Sequence, residues 1–431
     1  GNASIALVSD ASNIGNCAPN CQMTLASQNV AVSGAVYRLA NPSITSGAIT
    51  LAARVGDAAP SANIGITNTS LDMFTEALNA SVASTPAGFS SSGAITALAA
   101  GQSSNALGVS LNTASAGNFS GQASLALVSS GAGTTGAPDQ ALAAQNVNVS
   151  GTVYTPAVAQ VNTTSVNFGI VHRGDVVAAR NVSVSNAAAV AAPNDDLTGS
   201  LNGASGPFTA SGNLAGLGAQ ATDTTSLVVN LNTSNAGVFN GTANASFASR
   251  NAVMSDLDLG SNAISLQAQV NNFAELALNK SAGAGTLSFS GGTYTLDFGS
   301  LVQGSMALDA GLSIFNVAVG PADVLGGSFA IGAGSAFMLS GFDPFAVIAA
   351  GAAQGGLGVS FASSTIGEFT QTIVISAAGS NASGFSGALA DTTLVLQGSV
   401  VAVPEPATYA LMAGGLLAVW LARRRRLGTT H

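Results

Sequence analysis

Charged residues make up only 7% of this 431-residue chain, far below the usual share for a soluble enzyme. Histidine is almost missing as well, with His172 in the body of the chain and His431 at its end. One internal histidine leaves little from which to assemble a Ser-His-Asp or Cys-His arrangement. Cys17 and Cys21, in NCAPNC, are the only cysteines and have no histidine nearby, so a metal cage of four such ligands is excluded. Trp420 is the single tryptophan and there are four tyrosines, too few for the aromatic platforms expected of a dedicated sugar-binding site. Before Pro404, six basic residues stand against eighteen acidic ones, a net of 6 − 18 = −12. A chain so poor in Lys and Arg has no electrostatic footprint for nucleic acid. Glycine is plentiful, at 52 residues, yet no phosphate-loop or dinucleotide fingerprint stands between a strand and a helix.

What is present is enough for a folded protein. Hydrophobic residues reach 47%, which rules out a disordered chain. The apolar residues alternate with polar ones in Val182/Val184, Ile64/Ile66, Leu227/Val229/Leu231, Val147/Val149 and Leu394/Leu396. A period of two marks half-buried strands. Clusters of Gly, Asn, Ser and Pro interrupt these runs about every ten residues, as tight turns require. LDMFTEALNASV at 71–82 reads as a short helix or a long connection at most.

The pattern repeats. GNASIALVSD at the start returns as GQASLALVSS from Gly121, and the whole of residues 1–37 matches 121–154. Phe168-Gly169 is followed by Gly174 and Asn186; Phe298-Gly299 is followed at the same offsets by Gly304 and Asn316. Gly56 and Asn68 keep the Gly-to-Asn interval of a first copy that has lost its Phe-Gly. Gly117, Gly237 and Gly367 each precede a phenylalanine by two residues. These marks divide the chain into residues 1–40, 41–158, 159–276, 277–402 and 403–431. The expectation is an all-β protein of tandem Ig-like β-sandwiches, three complete and one partial at the N-terminus. Residues 1–40 match only the back half of a unit and carry no export signal. A longer precursor is expected, with strand donation by another chain as the alternative. The strand pairs around Phe-Gly that end in asparagine resemble the choice-of-anchor D type of repeat, related to the ASPM-SPD-2-Hydin sandwich. That resemblance implies an Ig-like fold and brings no catalytic residues.

The C-terminus differs from everything before it. Val403-Pro404-Glu405-Pro406 leads into an uncharged apolar run, 407–422, and then into Arg423, Arg424, Arg425 and Arg426. Two prolines so close cannot sit inside a helix, so the helix starts after them. Residues 407–422 would span about 24 Å as a helix, at the short end for a single transmembrane segment. This order of parts, with paired glycines Gly414 and Gly415 inside the run, resembles the PEP-CTERM sorting signal. The resemblance implies export in a Gram-negative bacterium, brief anchoring in the inner membrane, cleavage by an exosortase, and delivery to the cell surface or beyond.

Candidate chemistry is sparse. An outside location permits a Cys17–Cys21 disulfide as a loop staple. The acidic pairs Asp195-Asp196 and Asp256/Asp258 read as solvated loop acids, with calcium as the alternative. Asn68, Asn186 and Asn316 read as turn caps. No catalytic residue, metal or cofactor is expected. Two functions from different classes remain: a structural surface or matrix protein associated with exopolysaccharide and biofilm, and an adhesin-like module binding a glycan or a partner cell.

Overall fold

A computed structural model describes every residue except 17, 18, 20, 71, 363, 404–407 and 427–431, and the side chains of residues 408, 409, 425 and 426. The described chain is almost entirely β-structure. It forms three successive two-sheet sandwiches, preceded by a small β-ribbon and followed by a helix, Thr408–Arg426.

Each sandwich repeats one plan. In the second, the strands Ala159–Val161, Arg180–Asn186, Thr222–Leu231 and Phe208–Ser211 make one sheet. The facing sheet runs Ser165–His172, Leu257–Asn271, Gly237–Arg250, Asp196–Asn202, Asn213–Leu217. All neighbours are antiparallel except Ser165–His172, which adds in parallel beside Leu257–Asn271. The same parallel edge recurs as Ile49–Arg54 beside Gln145–Tyr154 and as Thr293–Val302 beside Thr392–Val401. The third sandwich extends its larger sheet with the hairpin strand Thr286–Ser290.

Alternation in the sequence becomes burial in the fold. Val182, Val184, Leu227, Val229, Ile264 and Leu266 are all fully buried between the two sheets of the second sandwich. Burying such a side chain is worth about 1.5–3 kcal/mol. The first and third sandwiches have their own separate cores around Leu107 and Leu125, and around Phe361 and Leu396. Of LDMFTEALNASV, residues 72–76 lie in the connection between Ser61–Asn68 and Ala77–Ser84, and the second half is strand and not helix: Leu78 is buried and pairing with Gly117–Ser130 overrides helix propensity.

The Phe-Gly signature has a geometric cause. Gly169 and Gly299 take positive φ values of 74° and 66°. Each sits at a slip in register with the neighbouring strand, between Asn167 and Ile170 or between Asp297 and Ser300. The side chain two residues earlier, Asn167 or Asp297, accepts the glycine N–H at 2.8 Å. This is a β-bulge whose left-handed residue favours glycine. The strand Ile49–Arg54 pairs without a slip, so the first copy needs no Phe-Gly.

The C-terminal segment requires a correction. The helix forms, but among the described residues no helix is long and apolar enough to cross a membrane. Its uncharged part ends at Ala422, about 22 Å from Thr408 at 1.5 Å per residue, against roughly 30 Å of hydrocarbon. Alanines and the Gly414-Gly415 pair further dilute its apolar character, and the last turn is arginine.

Candidate functional site

The most constructed polar sites lie where one sandwich meets the next. The last strand of each sandwich runs straight on into a short linker that bridges the following unit: Arg38 pairs with Thr75, Thr155 with Asn194, and Asn272 with Ala322. One residue beyond each bridge is an acid, Glu76, Asp195 or Asp323, whose N–H bonds back to the linker carbonyl. All three acids are buried.

At the first full junction Arg54, the last residue of Ile49–Arg54, reaches across to Asp195, with Nε 2.6 Å from Oδ2. Both side chains are buried, 7% and 0% exposed. Arg54 also donates from Nη2 to the carbonyls of Ser249 and Ser255. Asp195 accepts in addition from the Ser249 hydroxyl and the Asn251 amide, both at 2.8 Å. Burying two charges carries a desolvation cost, which the short contact and the extra hydrogen bonds to the Asp195 carboxylate offset.

The second junction uses the same positions with a different base. His172 ends the strand Ser165–His172, and its Nε2 lies 2.7 Å from Oδ2 of Asp323. Asn271 and Asn381 donate to the other carboxylate oxygen at 2.9 and 2.8 Å. The imidazole stacks on Phe273, with ring centres 4.3 Å apart, and meets Phe385 at 4.2 Å. His172 is therefore a buried joint between sandwiches.

Asp195 overturns its reading as a solvated acid: it is fully buried against Arg54. Asp196 is exposed, and Asp256 pairs at the surface with Arg250. That pairing holds the Asp256 carboxyl below its ordinary value, chiefly through the Arg250 hydrogen bond. Asp258 accepts the Gly260 N–H. Among the described residues, no group of three or more His, Cys, Asp or Glu side chains could hold a metal ion.

The asparagines do more than cap a turn. Asn186 accepts the N–H groups of Val158 and Ala188 and donates to the Leu217 carbonyl. Asn68 and Asn316 tie the linker to two loops in the same manner. All three are fully buried.

Of the sorting segment, Val403 is exposed, while Pro404, Glu405 and Pro406 lie outside the described residues. Arg423 and Arg424 occupy the last turns of the helix, and Arg424 stacks over Trp420 at 4.9 Å. Arg425 and Arg426 complete the helix, their side chains outside the described set. Cys21 is half-buried just before the strand Gln22–Thr24; Cys17 lies outside the described residues, and so does the pairing expected for it.

Tandem Ig-like sandwiches followed by a basic-ended helix define a multidomain all-β chain with a separate C-terminal tail. Residues 402–426 match the PEP-CTERM protein-sorting motif, which marks the chain as an exported, surface-directed exosortase substrate. No curated protein matches the chain. Among solved structures it is similar to protocadherin gamma B2 extracellular cadherin domains 1–5, at 12% identity over 85% of this chain and 60% of that one, with a TM-score of 0.37. The ectodomain of human desmocollin-1 gives 10% identity over 85% and 62%, with a TM-score of 0.33. The ASH/PapD-like domain of human CEP192 gives 10% identity over 30% and 87%, with a TM-score of 0.22.

Proposed function

We propose that this protein is a structural element of the cell surface or extracellular matrix, associated with exopolysaccharide and biofilm, in which the sandwiches act as a spacer and do no chemistry. The observation that carries the reading is the pair of buried junctions, Arg54–Asp195 and His172–Asp323. The most distinctive polar groups of the molecule are spent on joining one unit to the next. His172 fits this role better than catalysis, since its ring is enclosed by Phe273 and Phe385 and both nitrogens face carboxylates. The bulged Phe-Gly strands support placing the sandwiches with the choice-of-anchor D and ASPM-SPD-2-Hydin type.

The test is co-sedimentation of the purified chain, cut before Pro404, with exopolysaccharide from the host. Retention in the polymer fraction that is insensitive to added mono- and disaccharides is expected of a matrix component. A chain that stays in the supernatant at all polymer concentrations overturns the association.

A further inference from the structure

The two buried junctions occupy equivalent places and differ in one respect. Each sets a base at the end of a parallel edge strand against a buried acid just past the linker bridge. Arg54 is an arginine, a side chain that stays charged at every pH the protein can meet, so Asp195 always has its counter-charge. The base at the second junction is His172, and histidine is the side chain whose charge ordinarily changes between about pH 5 and 8.

Asp323 depends on that charge. Its carboxylate is fully buried, and the two amides that reach its other oxygen, from Asn271 and Asn381, are neutral donors. The segments packed around the ring supply no second cation for it. Beside His172 in the second sandwich stand Arg173 and Asp175; Arg173 turns its Nε to the Ser234 carbonyl and makes no ion pair among the described residues. The linker 272–275 carries one charged residue, Glu275, which is exposed. The third sandwich presents Asp323 in the stretch 319–323 and no charged residue in 381–385.

The ring has two nitrogens to place. Nε2 lies 2.7 Å from Oδ2 of Asp323, and Nδ1 lies 3.7 Å from Oδ2 of Asp175. Neutral imidazole carries one N–H, so its other nitrogen turns a lone pair toward a carboxylate. Imidazolium carries two and suits both acids. Phe273 and Phe385 pack against the ring, whose side chain is only 6% exposed, so solvent screens these contacts little.

We propose that the joint between the second and third sandwiches is a pH-dependent lock, held by imidazolium between Asp323 and Asp175 in mild acid and loosened as the pH rises. The Arg54–Asp195 joint is indifferent to pH over the same range. Loss of the imidazole proton leaves Asp323 a buried charge without a counter-charge, the costly state of a broken buried pair. The closed joint is the form that holds the proton, so its stability is present on the acid side and is lost as the imidazole titrates. The first and second sandwiches thus stay joined throughout, and the third is locked to them only in mild acid.

Calorimetry of the full chain between about pH 5 and pH 8 tests this. One transition should fall by at least about 3 °C across that range as the pH rises. His172→Arg supplies a permanent charge, and the same transition should stay level. His172→Gln supplies a neutral donor, and the transition should start low and stay low. Transitions of the unaltered chain that do not move overturn the proposal, and so does a fall of equal size in whichever of the two variants folds. A third reading is independent of both: in a His431→Ala background the His172 ring is the one imidazole seen by NMR, and it should change protonation over the range in which the transition moves. A ring that keeps one state throughout overturns the lock.

Discussion

His172 and Asp323 stand 151 residues apart in sequence, yet their side chains meet at 2.7 Å in a buried contact between two sandwiches. Arg54 and Asp195 do the same one unit earlier. Neighbouring units are therefore joined by more than a linker, and each joint uses one base from a parallel edge strand and one acid from just past the linker bridge.

Replacing Asp195 with Ala leaves the Arg54 guanidinium buried without its counter-ion. Breaking a buried pair from one side costs about 3–5 kcal/mol. Calorimetry of the full chain should show a unit melting roughly 10 °C lower, with its transition separated from that of its neighbour. An unchanged thermogram would show that the pair contributes nothing to joining the units.

Asn316→Ala removes two acceptances, from the N–H groups of Glu275 and Ala318, and two donations, to the carbonyls of Asp323 and Ile348. Buried groups left without a partner cost about 1–3 kcal/mol each. A destabilisation of roughly 3 kcal/mol in urea is expected, with the slope of the transition unchanged. A loss under about 0.5 kcal/mol, the range of an ordinary surface change, would mean that water replaces these bonds freely.

Asp223 makes the second sandwich sensitive to acid. The Ser226 N–H, helped by the Ser226 hydroxyl and the Thr225 N–H, holds its carboxyl below the ordinary 3.8, with burial opposing. A lowered native value means that the stabilisation is complete above the unfolded value and is lost as pH falls through the native one. Asp223→Ala should therefore melt lower than the unaltered chain at pH 7, and the two melting temperatures should converge as the pH falls below 3.8 and through the lowered native value. A gap that persists into strong acid would assign the effect to packing.

Deleting residues 404–431, or replacing Arg423 to Arg426 with uncharged residues, should misroute the protein. The helix is too short and too dilute to hold a membrane by itself, so its direction depends on the arginine end. Cell fractionation checks this, and unchanged surface display of the deletion variant would remove the tail from the sorting route. Where exosortase is active, terminal mass spectrometry of the delivered protein should find no arginine cluster.

The sequence alone determined the local conformations. Period-two alternation in stretches such as Leu227/Val229/Leu231 is a property of one strand, and so the sandwiches were legible from it. Phe-Gly and the Gly-to-Asn interval were visible as marks because a bulge and a turn impose their residues locally. The tail was legible for the same reason, since proline spacing and an arginine cluster act within a single segment, although its helix is too short and too weakly apolar to cross a membrane. What only the tertiary structure decided is which polar residues are buried. Asp195 and Asp196 are neighbours in an acidic pair, yet one is sealed against Arg54 and the other is exposed. His172 sits in VHRG with nothing beside it to predict Asp323. Those pairings depend on how one folded unit stacks on the next, across more than a hundred residues, and no local period encodes that distance.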